Sequence, residues 1–470
     1  MTSRPQWSAG PAGAPAIALA SLGCPKNLVD SEVLAGMLIR AGFRVTSDLS
    51  EADVAVVNTC GFIADARRES VETILGIARR RREGFLRGLV VCGCLPQREG
   101  PALADAIPEV DAWAGVFEPL RVVEACRKIL EGKPAEGFLP PGGVPDRSLP
   151  PDRGRAALLP PHTAYLRIAD GCSHACTFCA IPRIRGRFRS VPREAVLAEA
   201  RRLSRAGVLE VSLIAQDTTA WGGDLPGRPA FARLLRSLAR IQGTRWIRIL
   251  YAHPARLGDD VLAVLADEPE RFVYLDLPLQ HIEDRVLKRM GRRTTRAATM
   301  SLLERIRTRC PRIALRTTLL AGFPGETERE FEALRSFAAS FPFDRLGVFP
   351  YSPEEGTPAA RLPGLLPASE RARRAREIRN AWRTRHLEAN RARKGAVEEI
   401  LIDAAGVREA VGRTWRDAPE IDGRVFLRGT DLKPGTFVAA RILGTRGLDL
   451  SAEPVERHNS IAGTLCKDAK

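Results

Sequence analysis

Short apolar runs alternate with longer amphipathic segments over two stretches of the chain. In the first stretch, apolar runs at 17–22, 54–57 and 89–91 are separated by helical patterns at 31–41 and 67–80. The second stretch, from 163 to 363, contains six candidate strands, at 164–168, 210–214, 245–250, 272–276, 313–320 and 345–350. Such alternation predicts parallel sheets covered by helices. Because a complete eight-unit barrel typically needs about 250 residues, the second stretch predicts a partial barrel of six βα units.

The pattern changes towards the end of the chain. Residues 371–394 have a helical pattern with ten Lys or Arg against two Glu, and residues 397–456 break into short strands separated by Gly, Asp and Pro. The short strands predict a small antiparallel β-barrel. We therefore expect an α/β protein with these parts: a disordered N-terminus at 1–15, a parallel α/β domain at 16–130, a Pro/Gly-rich linker at 131–161, a partial (β/α)6 barrel at 162–390, an antiparallel β-barrel at 391–456 and a tail at 457–470.

The composition is that of an ordinary globular protein, except for its charge. Hydrophobic residues make up 44% of the chain and charged residues 27%, and no apolar run reaches the length that spans a membrane. The net charge is +16, which favours nucleic acid, an anionic surface or a ribosome-like partner. Half of this excess lies in 371–394, whereas 396–456 has eight basic against eleven acidic residues. A barrel that binds RNA phosphates should be basic, so this one suits a basic protein substrate better.

Three cysteines stand on one short segment directly after a predicted strand. Cys172, Cys176 and Cys179 have the spacing CxxxCxxC within DGCSHACTFC. Three thiolates on one loop can hold three irons of a cubane cluster and leave the fourth iron open to a substrate. A structural zinc site is the alternative, but it needs a fourth ligand, and His174 inside the loop fits a tetrahedral chelate poorly. With no secretion pattern at the N-terminus, ten cysteines favour metal ligands in a reducing cytoplasm over disulfides.

This segment resembles the signature of the radical S-adenosylmethionine (SAM) superfamily, in which an aromatic residue precedes the last cysteine; here that residue is Phe178. The resemblance implies a 4Fe-4S cluster on Cys172, Cys176 and Cys179, with SAM bound to the open iron. It also implies one-electron cleavage of SAM to a deoxyadenosyl radical. An unactivated C–H bond has no useful pKa, so the cofactor supplies a step that acid–base residues cannot perform.

A second set of cysteines is distributed over three predicted strands of the first domain. Cys24, Cys60 and Cys94 each follow one of these strands, and the carboxyl ends of parallel strands lie at one edge of a sheet. Cys92 remains an alternative to Cys94, because strand alternation places both on the same side. Use as small core residues explains three further cysteines: Cys126, Cys310 and Cys466.

A three-cysteine N-terminal domain, a radical SAM core and a small C-terminal barrel of the TRAM type are together similar to the methylthiotransferase family. The similarity extends over about residues 17–456. It implies a second 4Fe-4S cluster on Cys24, Cys60 and Cys94, whose open iron holds the sulfur that is transferred. The third ligand of the family follows a glycine, which selects Cys94 over Cys92.

Four segments resemble the family members that modify a ribosomal protein rather than tRNA: SLGCPKNLVDSE, IAQDTTAWG, YLDLPLQHIEDRVLKRMGR and FPYSPEEGTPA. The resemblance implies that a methylthio group is added to the β-carbon of an aspartate in small-subunit ribosomal protein twelve. One SAM would donate the methyl group and another would generate the radical, with flavodoxin or ferredoxin as electron donor, in the cytoplasm and without a membrane. Two alternatives remain open: a tRNA adenosine methylthiotransferase, and a non-enzymatic RNA-binding protein with a structural metal.

Further candidate residues follow from their positions. Phe178 is expected to pack on the adenine of SAM, and Gln216, Gln280 and Arg316 are expected to contact SAM because they lie in or at the ends of predicted strands, where such barrels bind ligands. Asp217 and His281 lie beside them. For each of these residues, a structural role in the loop or core is the competing interpretation.

Overall fold

The N-terminal domain is a six-stranded sheet flanked by helices. Its strands are β1 Ser8–Ala9, β2 Ala16–Ser21, β3 Arg44–Thr46, β4 Val54–Thr59, β5 Gly88–Gly93 and β6 Ala112–Ala114. Its helices are α1 Pro25–Arg40, α2 Ala64–Arg82, α3 Cys94–Glu99, α4 Pro101–Ala106 and α5 Pro119–Leu130. The strand order is β1-β3-β2-β4-β5-β6, and all neighbours are parallel except β1 and β3. This arrangement confirms the predicted parallel α/β domain.

The structure is a computed structural model that describes residues 8–116, 118–135, 154–429 and 431–455. Ser8 pairs with Thr46 and Ala9 with Val45, so the prediction of disorder over 1–15 is wrong at these two residues, whose backbone groups complete the edge of the sheet. Residues 1–7, the greater part of the predicted linker and the predicted tail lie outside the described residues. Within the described part of the chain, no helix is long and apolar enough to cross a membrane.

Six parallel strands form the second domain, in the order β14-β13-β12-β11-β10-β7. These strands are β7 Thr163–Arg167, β10 Glu210–Ile214, β11 Trp246–Ile249, β12 Phe272–Asp276, β13 Ala314–Ala321 and β14 Arg345–Pro350, and a two-stranded ribbon adds β8 Ala169–Asp170 and β9 Arg189–Ser190. The helices are α6 Ile181–Arg185, α7 Arg193–Arg205, α8 Phe231–Ala239, α9 Asp259–Asp267, α10 Asp284–Arg289, α11 Arg296–Arg309, α12 Glu328–Ser340 and α13 Ala368–Ala392. The predicted partial barrel of six units is thereby confirmed.

The C-terminal domain is a closed five-stranded barrel, β15-β16-β17-β19-β18. Its strands are β15 Val397–Ala405, β16 Glu409–Arg413, β17 Val425–Arg428, β18 Phe437–Arg446 and β19 Asp449–Pro454. The pairs are antiparallel except β17 with β19. Buried aliphatic side chains such as Ile400, Val425 and Leu450 fill the interior. The small antiparallel barrel is therefore confirmed, with one parallel pair that the strand pattern does not reveal.

Residues 413–422 of the C-terminal domain close the amino end of the six-stranded barrel. Glu210, the first residue of β10, forms buried ion pairs with Arg413 at 2.6 Å and Arg248 at 2.5 Å. Burial alone would raise the pKa of Glu210, but the two guanidinium groups hold it well below its usual value. Arg345, the first residue of β14, is paired with Asp417. The carboxyl end of the barrel is left for the candidate site.

The N-terminal domain packs against this carboxyl end. The Ala64 backbone N–H donates to Glu354 Oε1 at 2.9 Å, and Arg98 forms an ion pair with the same carboxylate at 2.9 Å. On the other side, Asp30 of α1 is paired with Arg167 at the end of β7, at 2.5 Å. The sheet edge that carries Cys24, Cys60 and Cys94 is therefore joined to the domain that carries the CxxxCxxC loop.

Candidate functional site

The CxxxCxxC loop begins two residues after β8 and is held by backbone hydrogen bonds. The Cys172 N–H donates to Gly186 O at 3.0 Å, and the Thr177 N–H donates to Met290 O at 2.9 Å. Burial raises the pKa of the Cys172 thiol to about 11 and that of Cys179 to about 12, and the neighbouring Cys176 adds to both shifts. The three thiols are thus within electrostatic reach of one another in a half-buried loop.

The other three candidate ligands also converge. Cys60 directly follows β4, Cys94 begins α3 directly after β5, and Cys24 lies three residues after β2. Gly23 has φ +87°, and a Cβ there would stand 2.7 Å from Cys60 Cβ. A Cβ at Gly61 would stand 2.7 Å from the Cys94 carbonyl oxygen. These two glycines therefore allow the three loops to approach each other more closely than side chains would permit.

Burial and cation placement oppose each other at these thiols. Burial raises the pKa of Cys60 to about 12, and the nearby Cys24 and Cys94 add to the shift. Burial also raises the pKa of Cys94, while Arg185 acts in the opposite direction. Because a metal ligand must be a thiolate, a cation at this position reduces the cost of forming the ligand set.

Arg185 lies between the two cysteine sets. Its side chain is 1% exposed, and its guanidinium contacts Asp170 at 2.8 Å and Asp30 at 2.8 Å. It also donates to Asn27 Oδ1 at 2.9 Å, and the same oxygen lies 3.7 Å from Cys94 Sγ. Asp170 is two residues before Cys172, so one buried guanidinium connects the loop of the barrel to the thiols of the N-terminal domain.

Sequence reasoning missed Arg185, and it also missed the partners of His174. His174 Nε2 lies 2.6 Å from Asp217 Oδ2, and its ring is stacked on His253 with centroids 4.2 Å apart. Burial, with Arg292 beside it, lowers the pKa of His253 to about 3. His174 therefore anchors the cysteine loop to the barrel. The position of Asp217 at a strand end was the available signal.

A second cation faces the N-terminal thiols. Lys26 Nζ lies 3.3 Å above the ring centroid of Tyr251. Burial would lower the pKa of Lys26, but Tyr251 and Cys24 together raise it above its usual value. Tyr251 and Gln280 both have a left-handed backbone, with φ 60° and 70°. Strain of this kind at non-glycine residues is concentrated at functional sites.

The predicted SAM contacts occupy different surroundings. Gln216 donates to Asp170 Oδ1 at 2.9 Å, and its Oε1 is buried without a hydrogen-bond partner among the described residues. Phe178 is half-buried and packs edge-on against Phe323, with ring centroids 6.5 Å apart. Gln280 continues from β12 and pairs with Leu319 of β13. The first two residues are therefore adjacent to or within the cysteine loop.

Arg316 is engaged elsewhere. Its guanidinium lies 3.1 Å from Asp276 and 3.6 Å from Asp422, the latter in the segment that closes the amino end of the barrel. Burial alone would lower the pKa of Arg316, but the two carboxylates raise it above its usual value. Its charge is therefore satisfied by the protein itself.

The cysteines of the described residues are all free thiols. Cys92, Cys126 and Cys310 are buried in hydrophobic clusters. Across the described ranges, no group of three or more His, Cys, Asp or Glu side chains has the geometry of a site for a single metal ion. The donor chemistry nevertheless fits iron–sulfur ligation at both sets, since each consists of three thiols brought together on loops with an adjacent buried guanidinium.

Comparisons with known proteins match the three domains separately. The Radical SAM superfamily matches residues 166–338, the Uncharacterized protein family UPF0004 matches 16–115, and the TRAM domain matches 395–455. A solved structure of the radical SAM methyltransferase TsrM from Kitasatospora setae, at 17% identity, covers 72% of this chain and 75% of that chain with a TM-score of 0.52, which shows the shared fold. Membership of the superfamily implies a 4Fe-4S cluster and SAM as cofactors.

Curated relatives match nearly the whole chain, and three of them share the name ribosomal protein uS12 methylthiotransferase RimO. The protein of Geobacter sulfurreducens is 43% identical and covers 93% of this chain and 98% of its own length. The protein of Desulforudis audaxviator is 44% identical and covers 93% of this chain and 96% of its own length. The protein of Symbiobacterium thermophilum is 43% identical and covers 97% of this chain and 95% of its own length. On this evidence the chain belongs to the RimO family of radical SAM methylthiotransferases.

Proposed function

We propose that this protein adds a methylthio group to the β-carbon of an aspartate in small-subunit ribosomal protein uS12. One SAM molecule donates the methyl group and a second is the radical source. The observation that carries the proposal is the pair of three-thiol sets on the two sides of the domain interface, which the buried guanidinium of Arg185 connects through Asp170, Asp30 and Asn27. Family membership and the full-length RimO relatives support it.

Each set is proposed to hold one 4Fe-4S cluster. Cys172, Cys176 and Cys179 are the ligands of the cluster that binds SAM, and three further residues are the ligands of the second: Cys24, Cys60 and Cys94. When bound, the clusters supply one-electron chemistry and the position for the transferred sulfur. The chain contributes the thiolates, the separation of the two sets and the exclusion of water by burial.

Several side chains then orient the substrates. Gln216 Oε1 is a buried acceptor without a partner among the described residues, and it suits the amino group of SAM. Phe178, within the cysteine loop, offers an aromatic face or edge to the adenine. Gln280, in its left-handed conformation, contributes to the rim of the site. Because two carboxylates already satisfy Arg316, we assign this residue to the barrel wall rather than to SAM.

Buried cations hold the second set ready for ligation. Arg185 lowers the pKa of Cys94 and Cys60 against the larger effect of burial, and Lys26 lies beside Cys24. Positive charge here stabilises thiolates and a net negative cluster. The CxxxCxxC loop is held in place by a different contact, the 2.6 Å interaction between His174 Nε2 and Asp217 Oδ2.

The choice of uS12 over tRNA rests on the relatives and on charge. The segment 396–456 carries eight basic against eleven acidic residues, which suits a basic ribosomal protein better than a polyanion. We further propose a flavodoxin or ferredoxin as the electron donor. We also propose the cytoplasm as the place of action, because uS12 is a ribosomal protein.

The test presents both substrates to one anaerobic preparation. Reconstituted enzyme, SAM and dithionite are incubated with uS12 and, separately, with unmodified tRNA. We expect deoxyadenosine formation and a gain of about 46 Da on one aspartate-containing peptide of uS12, which corresponds to transfer of a CH₂S increment. A methylthio-nucleoside in tRNA with uS12 unchanged would replace the proposal with the tRNA alternative.

A further inference from the structure

A basic groove lies on the outer face of the barrel. It runs between α7 and α8, encloses about 460 Å³ and includes four arginines in its lining: Arg193, Arg201, Arg205 and Arg240. Its remaining polar lining consists of Ser204, Ser237 and Gln242. From Arg193 to Arg205 the row extends about 18 Å, at 1.5 Å per helical residue.

These charges are largely unneutralised. The lining contains no Asp or Glu. Arg193 donates to Ser237 Oγ at 2.7 Å and has one exposed carboxylate neighbour, Glu194, at 3.7 Å. Arg201, Arg205 and Arg240 form no ion pair or hydrogen bond with any described side chain, and each is exposed.

Elsewhere on the arginine-rich surface, some arginines are neutralised by ion pairs. On α13, Arg373 is paired with Glu370 and Glu377, both at 2.7 Å. Arg201 and Arg205, by contrast, are four residues apart on one helix and repel each other by a few tenths of a kcal/mol. Unpaired like charges that converge on a concave surface indicate an anionic ligand.

The lining favours phosphate over an acidic protein. Guanidinium groups match phosphate oxygens in a two-pronged geometry. A stable protein interface instead needs buried aromatic or aliphatic anchors, and the groove offers only Leu197 and Ile241 as apolar lining. A row of arginines along a groove is suited to the repeating phosphates of a nucleic-acid backbone.

We propose that the α7–α8 groove binds the sugar–phosphate backbone of RNA, without reading its sequence, and so places the enzyme on uS12 within the small ribosomal subunit. The RNA is identified as ribosomal because uS12 is the proposed substrate, so this part rests on the proposed function. The acidic C-terminal barrel is thereby left for protein contact, while the groove makes the contact with RNA.

The first test measures RNA binding directly. The variant Arg201→Gln/Arg205→Gln/Arg240→Gln removes three groove charges, and Arg376→Gln/Arg383→Gln/Arg391→Gln on α13 removes three exposed, unpaired arginines as a matched control. Fluorescence anisotropy with a labelled 20-nucleotide RNA hairpin is recorded over a range of salt concentrations. We expect the groove variant to bind at least tenfold more weakly and its salt slope to fall by about 2 to 3, at about 0.9 per lost phosphate contact. Equal weakening in both variants, or none in the groove variant, overturns the proposal.

The second test separates the groove from the reaction. The groove variant and the wild type are compared on free uS12 and on isolated small subunits that lack the modification. We expect unchanged modification of free uS12 and at least tenfold slower modification of subunits. If the wild type modifies neither substrate, the proposed function fails, while the RNA arm still decides the groove. Loss of flavodoxin binding with intact RNA binding would identify the groove as a protein dock and overturn the proposal.

Discussion

Cys94 and Cys92 are two residues apart in the chain but occupy different environments. Cys92 lies inside β5, in the same hydrophobic cluster as Cys126. Cys94 begins α3, where it packs with Ala180 and Ile184 of the barrel domain. The start of the helix breaks the strand alternation that left the two thiols indistinguishable in the sequence, so Cys94 alone faces the second domain.

This difference predicts the iron content of two variants. Cys94→Ala removes a proposed ligand. Cys92→Ala is the matched control, because it shortens a core side chain of β5 only two residues away. After anaerobic reconstitution we expect about eight irons per chain in the wild type and Cys92→Ala, and about four in Cys94→Ala. Iron and sulfide analysis with Mössbauer spectra checks the prediction. Eight irons in Cys94→Ala, or four in Cys92→Ala, would show that the assignment of Cys94 as the ligand is wrong.

Some residues of the site were within reach of the sequence and others were not. The candidate ligands could be chosen because cysteines are rare and stand at regular positions after strands, except that the choice of Cys94 over Cys92 depends on the resemblance to the methylthiotransferase family. Arg185 could not, because its partners Asp30 and Asn27 are 155 and 158 positions away and only the docking of two domains brings them together. The contact of Arg316 with Asp422 also has no signal in the sequence, because Asp422 belongs to a domain that strand periodicity does not position.

His386 makes the stability of the α13 region sensitive to pH. Burial, with Arg345 nearby, lowers its pKa to about 4 from an ordinary value of about 6.5. Between those values the unfolded chain binds a proton that the folded chain does not, so the contribution of this group to stability is complete above pH 6.5 and is lost as the pH falls towards 4. The free energy of unfolding, measured with urea at several pH values, should fall between pH 6.5 and 5. We expect this fall to be smaller in His386→Gln than in the wild type by about 1 kcal/mol per pH unit. Identical slopes would show that the histidine does not carry this dependence.

Among the elements, the strands were the most predictable. Alternation located all six barrel strands, and three of them, Glu210–Ile214, Phe272–Asp276 and Arg345–Pro350, have the predicted bounds. Helix α1 begins at Pro25, six residues before the predicted start, because its first turn is polar and packs at the domain interface rather than on the apolar stripe that periodicity detects. The closure by residues 413–422 has no local signal, since it depends on a polar network with strands about 200 positions earlier.

This closure should be important for stability. Arg413 is buried and is paired with both Glu210 at 2.6 Å and Asp403 at 2.7 Å. Arg413→Leu leaves Asp403 without its guanidinium partner and leaves Glu210 with Arg248 alone, and we expect a loss of about 3–5 kcal/mol in the free energy of unfolding. Arg446→Leu is the matched control in the same barrel, because Arg446 pairs with Glu409 at 3.0 Å on the surface, where such pairs contribute about 0–1 kcal/mol. Denaturant unfolding of both variants decides the matter; equal losses would contradict the assigned role of the closure.

For the whole molecule, the net charge of +16 is divided into regions with different consequences. On α13 part of the excess is neutralised by ion pairs such as Arg374 with Glu326 at 2.8 Å. The C-terminal barrel is slightly acidic, and the α7–α8 groove concentrates unpaired arginines. Total charge alone therefore could not identify a substrate, because the surfaces for protein and for RNA differ in sign.

At this scale the two cysteine sets act together in the proposed transfer of a methylthio group to uS12. The most direct test is intact and peptide mass spectrometry of uS12 from a strain without the chromosomal gene, complemented with the wild type, Cys92→Ala or Cys94→Ala. We expect uS12 to carry an additional mass of about 46 Da on one aspartate with the wild type and with Cys92→Ala, and to lack this mass with Cys94→Ala. Full modification with Cys94→Ala, or an unmodified aspartate with the wild type, would contradict this expectation.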